Sequence, residues 1–220
     1  KINRVYVDRV HVKKAFAEYT AAYSADDPKI KLKIDHTYRV AALCERIAKA
    51  AGMCAYDVEL AWLSGMLHDV GRFEQIKRYN TFSDADSVDH AKFGADLLFK
   101  DGLISTFLNG MVKCTGYKPG ALEDRYSSDG VFLYDRLNKS DMEMLELAIR
   151  CHNMYRIPQG LNSREQAFCN VLRDADKVDI FKVNIDTPLE EIYNTTTEEL
   201  MKSDITDEVL EAFDEEHCIL

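Results

Sequence analysis

Residues 60–69 read Leu60-Ala61-Trp62-Leu63-Ser64-Gly65-Met66-Leu67-His68-Asp69, an uncharged and mostly apolar run that ends in a histidine and an acid. A helix that is apolar on every side is buried, so we expect His68 and Asp69 at its end to face the interior. An unpartnered carboxylate in the interior costs several kcal/mol, so Asp69 must be neutralised, paired or bound to a metal. A bound metal explains both residues at once.

The size and composition of the chain limit its fold and its partners. With 220 residues it is predicted to form one domain over residues 1–220, with a sizeable core. The formal net charge of −10 and the lack of a basic stripe argue against a nucleic acid polymer as partner, whereas a small anionic substrate is compatible with both.

No apolar run reaches the roughly 20 residues that span a bilayer, and no signal peptide is recognisable. The six cysteines lack paired spacing, which is typical of reduced thiols, so we expect a cytoplasmic protein with no membrane partner. The pattern favours no particular oligomeric state.

Apolar residues recur mainly at spacings of three and four, which predicts an all-α fold. The expected helices cover residues 5–24, 36–51, 55–69, 88–100, 103–113, 140–153, 164–184, 188–202 and 205–216. Gly71 is the expected stop of the helix that carries His68 and Asp69. Residues 72–87 are predicted to be an irregular connection. Residues 114–139 are predicted to be an irregular loop or insertion, either a lid or recognition element or a mere surface addition. Residues 188–220 would form C-terminal helices.

Four of the six histidines lie in register with the apolar face of a predicted helix. They are His36, His68, His90 and His152. A single inward histidine is more often a hydrogen-bonded core residue, but four on four helices are better explained if they converge. Imidazole nitrogens and carboxylates suit Mn, Fe, Co, Ni or Zn, so the sequence predicts one or two divalent metal ions.

Residues 171–179 offer two further acids, and periodicity does not choose between them. Asp174 is in register with Val178, and Asp176 is in register with Ile180. Either acid alone could also be a solvated or salt-bridged helix carboxylate. On this pattern both are candidate metal ligands.

The order of these motifs resembles that of the HD-domain metal-dependent phosphohydrolases, and in particular a bacterial, largely uncharacterised subgroup. The similar segments are His36, His68-Asp69-Val70-Gly71-Arg72-Phe73-Glu74-Gln75, Ser87-Val88-Asp89-His90-Ala91, His152-Asn153 and Arg173-Asp174-Ala175-Asp176-Lys177. The resemblance covers about residues 34–182 and implies an all-α HD-domain helical bundle.

The resemblance also implies a ligand set. A metal would be held by His36, His68, Asp69 and a late acid. In members whose late motif reads Asp-x-Asp-Lys, the second acid binds the metal and the lysine contacts phosphate. Carried over, this favours Asp176 as ligand and Lys177 as phosphate contact.

His90 and His152 are similar to the two extra histidines of the binuclear members, in which Asp69 would bridge two ions. Mononuclear members need only the other four ligands. The glycine-tyrosine-proline extension of the cyclic-di-GMP phosphodiesterases is absent, since Asn153-Met154-Tyr155 follows His152. This difference argues against that substrate.

The resulting hypothesis is a phosphohydrolase that cleaves a phosphate ester, of a nucleotide or another small molecule, with a metal-activated water. Asp69 would hold the metal and is able to accept the water proton. Arg72 and Lys177 would neutralise charge on the phosphoryl oxygens, although Arg72 equally fits a helix-end cation. The alternatives are an HD-type di-iron oxygenase acting on a small polar substrate and a non-catalytic HD regulatory module.

Overall fold

The computed structural model of the chain describes residues 7–24, 26–108, 137, 139–188, 190, 192, 195–202 and 204–215. Over these residues the protein is helical and has no strand, which confirms the all-α prediction. The helices are α1 (Arg9–Thr20), α2 (Pro28–Ala50), α3 (Ala55–Leu67), α4 (Val70–Tyr79), α5 (His90–Ala95), α6 (Ile104–Leu108), α7 (Lys139–Cys151), α8 (Ser163–Asp186), α9 (Thr197–Leu200) and α10 (Asp207–Asp214). A π-helical turn over Asp96–Lys100 continues α5.

Helix α3 lies at the centre of the bundle. Every residue from Leu60 to Leu67 is buried, and the helix packs against α2, α7 and α8. His68, which follows it directly, is fully buried. The apolar run therefore does face the interior, as its composition predicts.

Two long helices begin at N-terminal side-chain caps whose residue types are recognisable in the sequence. The carboxylate of Asp27 accepts a hydrogen bond from the backbone of Lys29, and Pro28 occupies the first turn of α2. The expected start of this helix at residue 36 is therefore wrong, and His36 lies in mid-helix. Asn162 and Glu165 form a capping box that starts α8.

The break between α3 and α4 falls at His68 and Asp69 themselves. Asp69 has φ −106° and ψ 15°, and α4 begins at the next residue. The expected stop at Gly71 is therefore wrong, because Gly71 lies inside α4. The change of axis at the break allows adjacent side chains to point at one place, which a straight helix prevents.

The expected irregular connection over residues 72–87 is also wrong in its first half. Phe73 and Ile76 are buried and make α4 amphipathic, so the helix runs on to Tyr79. It ends where Asn80 takes a left-handed conformation, with φ 52°.

Two glycines permit close helix crossings beside the break. A Cβ atom on Gly65 would lie 2.6 Å from the Cα atom of Ala41, so α3 and α2 touch backbone to backbone. A Cβ atom on Gly71 would lie 2.5 Å from the carbonyl oxygen of His90 and 2.7 Å from the nitrogen of Gly94. These crossings bring His36 and His90 towards the α3–α4 junction.

The C-terminal part is described only in places. Within the helix predicted over residues 188–202, residues 190 and 192 are helical, and α9 starts at a capping box of Thr196 and Glu199. Nearly all of the predicted insertion at 114–139 lies outside the described residues, and α7 begins at Lys139. In the part of the chain that is described, no helix has both the length and the apolar character needed to cross a membrane. Cys44, Cys54, Cys151 and Cys169 form no disulfide.

Candidate metal centre

Four histidine side chains meet inside the bundle. His36 lies on α2, His68 follows α3, His90 starts α5 and His152 follows α7. Each exposes at most 5% of its surface. The ring centroids are 5.3 Å apart for His36 and His68, 5.0 Å for His68 and His152, and 5.0 Å for His90 and His152. The structure therefore brings together all four histidines that the sequence singles out.

The carboxylate of Asp69 lies between two pairs of imidazoles. Its Oδ2 atom is 3.6 Å from Nε2 of His36 and 3.5 Å from Nε2 of His68. Its Oδ1 atom is 3.6 Å from Nε2 of His90 and 3.7 Å from Nε2 of His152. Asp69 thus belongs to two groups whose ligand atoms lie within 4.8 Å of one another, and either group could bind a metal ion. We call His36, His68 and Asp69 the first cluster, and Asp69, His90 and His152 the second cluster.

One histidine of each cluster is oriented by the backbone. Nδ1 of His68 lies 2.8 Å from the carbonyl oxygen of Gly65. Nδ1 of His152 lies 2.7 Å from the carbonyl oxygen of Ile149. Since a carbonyl oxygen only accepts, Nδ1 carries the proton in both rings, and Nε2 of the neutral ring presents its lone pair to the centre.

The other histidine of each cluster is oriented by a carboxylate. Nδ1 of His36 lies 2.6 Å from Oδ2 of Asp179, and Nδ1 of His90 lies 2.6 Å from Oδ2 of Asp84. These contacts also place the proton on Nδ1 and raise the basicity of Nε2. Carboxylate–histidine pairs of this kind usually accompany metal-binding histidines.

The Nε2 atoms of each pair face one another, 3.3 Å apart for His36 and His68 and 3.1 Å apart for His90 and His152. Two lone pairs at that distance repel unless a proton or a cation lies between them. In the second cluster, burial and the charge of Arg72 lower the pKa of His90 to about 4, so His90 does not itself supply that proton at neutral pH. Two nitrogen ligands at about 2.1 Å from one ion lie about 3.0–3.4 Å apart at ordinary bond angles. The donor set therefore fits a divalent metal.

The late acid at this centre is Asp176. Its Oδ1 atom lies 3.1 Å from Nε2 of His36 and 3.7 Å from Nε2 of His68, and its side chain is buried. Asp174 is exposed on the opposite side of α8. The helix period left the two acids equivalent, and the fold places only Asp176 beside the first cluster.

The model of the HD-domain family matches residues 34–184. This range is more than half of the chain and includes all six candidate ligands. The chain is an HD-domain protein. The searches of curated proteins and of solved structures found no match to it.

Each carboxylate at the centre of this HD domain has a cationic partner. Asp69 Oδ2 is 2.7 Å from Lys33 Nζ, and Asp176 Oδ2 is 3.0 Å from Lys177 Nζ. The two outer acids are also paired, Asp84 with Arg72 at 2.9 Å and Asp179 with Arg39 at 2.7 Å. Burial of these acids is therefore explained without a metal. The facing imidazoles, in contrast, have no such partner in their Nε2–Nε2 contacts and are compatible with a bound cation.

The same pairing keeps the buried acids ionised. Burial by itself would raise the pKa of Asp69, but the charge of Lys33, 2.7 Å away, outweighs it and holds that pKa well below its usual range. For Asp176, the close contacts of its carboxylate with the rings of His36 and His68 likewise outweigh burial and hold its pKa well below the usual range. Both residues are thus charged oxygen donors at neutral pH.

Several residues at the centre escaped the sequence analysis. Lys33 lies three positions before His36 and Asp179 three positions after Asp176, so helical register places both on the faces that carry ligands. This helical register is the sequence signal by which both residues could have been found. No sequence signal pointed to Asp84, because it lies in the segment expected to be irregular and contacts His90 only in the folded structure.

Arg72 is held by a hydrogen-bond network beside the second cluster. Its Nη1 atom donates to Gln75 Oε1 at 2.7 Å, to the carbonyl oxygen of Phe82 at 2.6 Å and to Asp84 Oδ1 at 2.9 Å. Its Nε atom has no hydrogen-bond partner among the described residues and lies 3.8 Å from Asp69 Oδ1. Arg72 therefore positions Asp84, and its free N–H group faces the centre.

Lys177 is the most exposed of the four cations, with 49% of its side chain accessible. Lys33 and Arg72 expose 13% each, and Arg39 exposes 34%. Lys177 thus lies at the solvent-exposed rim of the HD-domain centre.

Proposed function

We propose that this HD-domain protein is a metal-dependent phosphohydrolase that cleaves a phosphate ester of a small molecule at a two-ion centre. The observation that carries the proposal is the position of the Asp69 carboxylate, whose two oxygens each face a different pair of imidazoles. The first ion would be held by His36, His68, Asp69 and Asp176, and the second by Asp69, His90 and His152. Bound divalent ions supply Lewis acidity and an activated water for attack at phosphorus.

The protein's own residues hold and orient the reactants. Asp69 and Asp176 supply the negative charge that retains the cations, and Asp176 is an acceptor for the proton of an attacking water. Lys177, half exposed beside Asp176, would contact phosphoryl oxygens. Arg72 adds fixed positive potential behind the second cluster. Such preorganised charge stabilises the charge that develops during phosphoryl transfer.

The test is a substrate panel run on protein reconstituted separately with Mn, Fe, Co, Ni or Zn after chelation. We expect about two ions per chain by elemental analysis and release of inorganic phosphate from at least one phosphate ester. Asp69→Asn should retain the helical circular dichroism spectrum and lose both metal and turnover. Full metal occupancy in Asp69→Asn would contradict the proposed centre.

Two other outcomes would replace the proposal. Iron with visible absorbance, together with dioxygen uptake and no phosphate release, would identify a di-iron oxygenase. Bound metal without turnover of any phosphate ester and without dioxygen uptake would identify a regulatory HD module.

A further inference from the structure

The side chain of Asn153 connects the two segments that carry the histidines of the second cluster. Asn153 follows His152 directly in the chain. Its Nδ2 atom donates to Oδ2 of Asp84 at 3.2 Å and to Oδ1 of Asp89 at 3.0 Å. Both partners are carboxylates, which accept hydrogen bonds when ionised, so the carboxamide must point its nitrogen towards them.

Both of these acceptors are tied to His90. The Oδ2 atom of Asp84 that receives the Asn153 amide also lies 2.6 Å from Nδ1 of His90. Asp89 precedes His90 directly, and its Oδ1 atom caps α5 by accepting a hydrogen bond from a backbone N–H group in the first turn. That same oxygen receives the second hydrogen bond from Asn153. The carboxamide therefore joins the segment of His152 to the ring of His90 and to the start of the helix that carries this ring.

The other oxygen of Asp84 is held by α4. It accepts from Nη1 of Arg72 at 2.9 Å and from Nε2 of Gln75 at 3.0 Å. Donors from α4, from His90 and from Asn153 thus fix this carboxylate. Without Asn153, Asp84 would keep its hydrogen bonds to α4 and α5 and lose the one to the segment that follows α7.

Packing alone does not explain a carboxamide at this position. The Oδ1 atom of Asn153 is buried and has no hydrogen-bond partner among the described residues. An unsatisfied buried acceptor destabilises the fold, and an apolar side chain of similar size would avoid that cost. The side chain is better explained by the two hydrogen bonds that its nitrogen donates.

The first cluster is oriented by other groups. Nδ1 of His68 faces the carbonyl oxygen of Gly65, and Nδ1 of His36 faces the carboxylate of Asp179. The hydrogen bonds that Asn153 donates reach only the carboxylates beside the second cluster. A change at Asn153 should therefore affect one ion site and spare the other.

We propose that Asn153 is a positioning residue for the second ion. By holding Asp84 and Asp89 it keeps the Nε2 atoms of His90 and His152, 3.1 Å apart, close enough to bind one ion. The inference rests on the two-ion centre of the proposed phosphohydrolase and names the residue on which the second site depends. Asn153 acts through the two carboxylates and is not itself a ligand.

The first experiment is a calorimetric titration of chelated and dialysed protein with Zn²⁺. We expect wild type to bind two ions in two steps, the tighter at the first cluster, to which Asp176 adds a second carboxylate. Asn153→Ala should weaken the second step by about 10- to 100-fold and change the first by less than about 2-fold. The matched control is Asn170→Ala, at an exposed position on α8, which should leave both steps unchanged. Equal weakening of both steps by Asn153→Ala, or none, would overturn the inference.

A double-mutant cycle tests whether Asn153 acts through Asp84. In Asn153→Ala combined with Asp84→Asn, the second step should weaken by less than the product of the two single effects, because both changes release the same ring of His90. A merely structural role would give effects that multiply, and that result would contradict the inference.

A measurement on the wild-type protein does not depend on how a variant folds. In chelated, ¹⁵N-labelled protein the side-chain amide protons of Asn153 should exchange slowly with water, because their nitrogen donates two hydrogen bonds. Their resonances should shift with the second equivalent of Zn²⁺ and little with the first. Fast exchange, or a shift with the first equivalent alone, would refute the positioning role.

Phosphate release from a panel of esters separates this inference from the proposed function. A second step that Asn153→Ala weakens, without phosphate release from any ester by the wild type, would support the positioning role and overturn the phosphohydrolase. Phosphate release by Asn153→Ala at the wild-type rate, with both ions bound as tightly as in wild type, would overturn the positioning role and leave the function standing.

Discussion

The ammonium nitrogen of Lys33 lies 2.7 Å from Oδ2 of Asp69, the same oxygen that faces His36 and His68. Both side chains are largely buried. Without a metal, Lys33 is the cation that offsets the charge of Asp69, and a bound ion would take over that role. Lys33 and a bound metal ion would therefore both interact with Oδ2 of Asp69. Either cation alone should stabilise the buried carboxylate, so the ion should offset the loss of the lysine charge.

This relationship predicts a metal-dependent effect of Lys33→Met. In the presence of a chelator the free energy of unfolding should fall by about 3 kcal/mol, because Asp69 is left as an uncompensated buried charge. With saturating Mn²⁺ most of that loss should be recovered. Urea denaturation in the two conditions measures both values, and Lys31→Met, at an exposed position on the same helix, serves as control. An equal loss with and without the ion would contradict this exchange of roles.

The two acids on α8 should differ sharply. Asp176→Asn removes an oxygen donor beside His36 and His68, so we expect metal affinity and phosphate release to fall by about 100-fold or more. Asp174→Asn changes an exposed carboxylate only two residues away and should leave both within about 2-fold. Elemental analysis after dialysis and a steady-state phosphate assay measure the difference. If Asp174→Asn were the more damaging of the two, the assignment of the late ligand would be wrong.

The two outer carboxylates should act on separate ions. Asp179→Asn weakens the orientation of His36, and Asp84→Asn that of His90, so each should lower the affinity of its own cluster by about 10- to 100-fold. Metal titration followed calorimetrically should then resolve one weakened and one nearly unchanged step in each variant. Asp35→Asn, exposed on α2, is the control. Equal weakening of both steps by either variant would show that the clusters are not independent.

The buried state of His90 predicts how the metal-free protein responds to acid. Its pKa is about 4 in the folded protein, against an ordinary value of 6.5, so between these limits the unfolded chain binds the extra proton. Stability should therefore fall as the pH drops, by about 2 kcal/mol between pH 7 and pH 5. Asp84 adds to the same trend at lower pH, because its pKa is lowered by hydrogen bonding to His90 and by the charge of Arg72, despite burial.

Urea denaturation of chelated protein at several pH values checks this dependence. His90→Gln, which keeps a neutral polar side chain, should lose most of the change between pH 7 and pH 5. A pH dependence that persists unaltered in His90→Gln would assign it to other groups.

The features that could be predicted from the sequence are those determined by the burial of apolar residues. Apolar periodicity fixes the central helix and the inward direction of His36, His68, His90 and His152, because these features follow from burial alone. The choice between Asp174 and Asp176 needed the family resemblance or the fold, since a helix period of 3.6 places acids two apart on different faces, each with apolar neighbours.

The errors come from local signals that tertiary contacts overrode. Gly71 looks like a helix stop, yet it is required by the close crossing of α4 with α5, and Asn80 provides the actual stop. The contact of Asp84 with His90 could not be inferred, because no periodic pattern links a loop residue to the ring that it orients.

The close crossing at Gly71 and Gly94 has a consequence for the proposed two-ion centre. A single methyl group at position 71 would push α5 outward and carry His90 with it, while every donor residue stayed in the sequence. The second cluster would open, and the first, anchored through α2 and α8, would persist. The number of ions that the proposed centre could hold would therefore depend on the spacing of two helix backbones as well as on the identity of the ligands, and a motif search that counts only histidines and aspartates would overlook the difference.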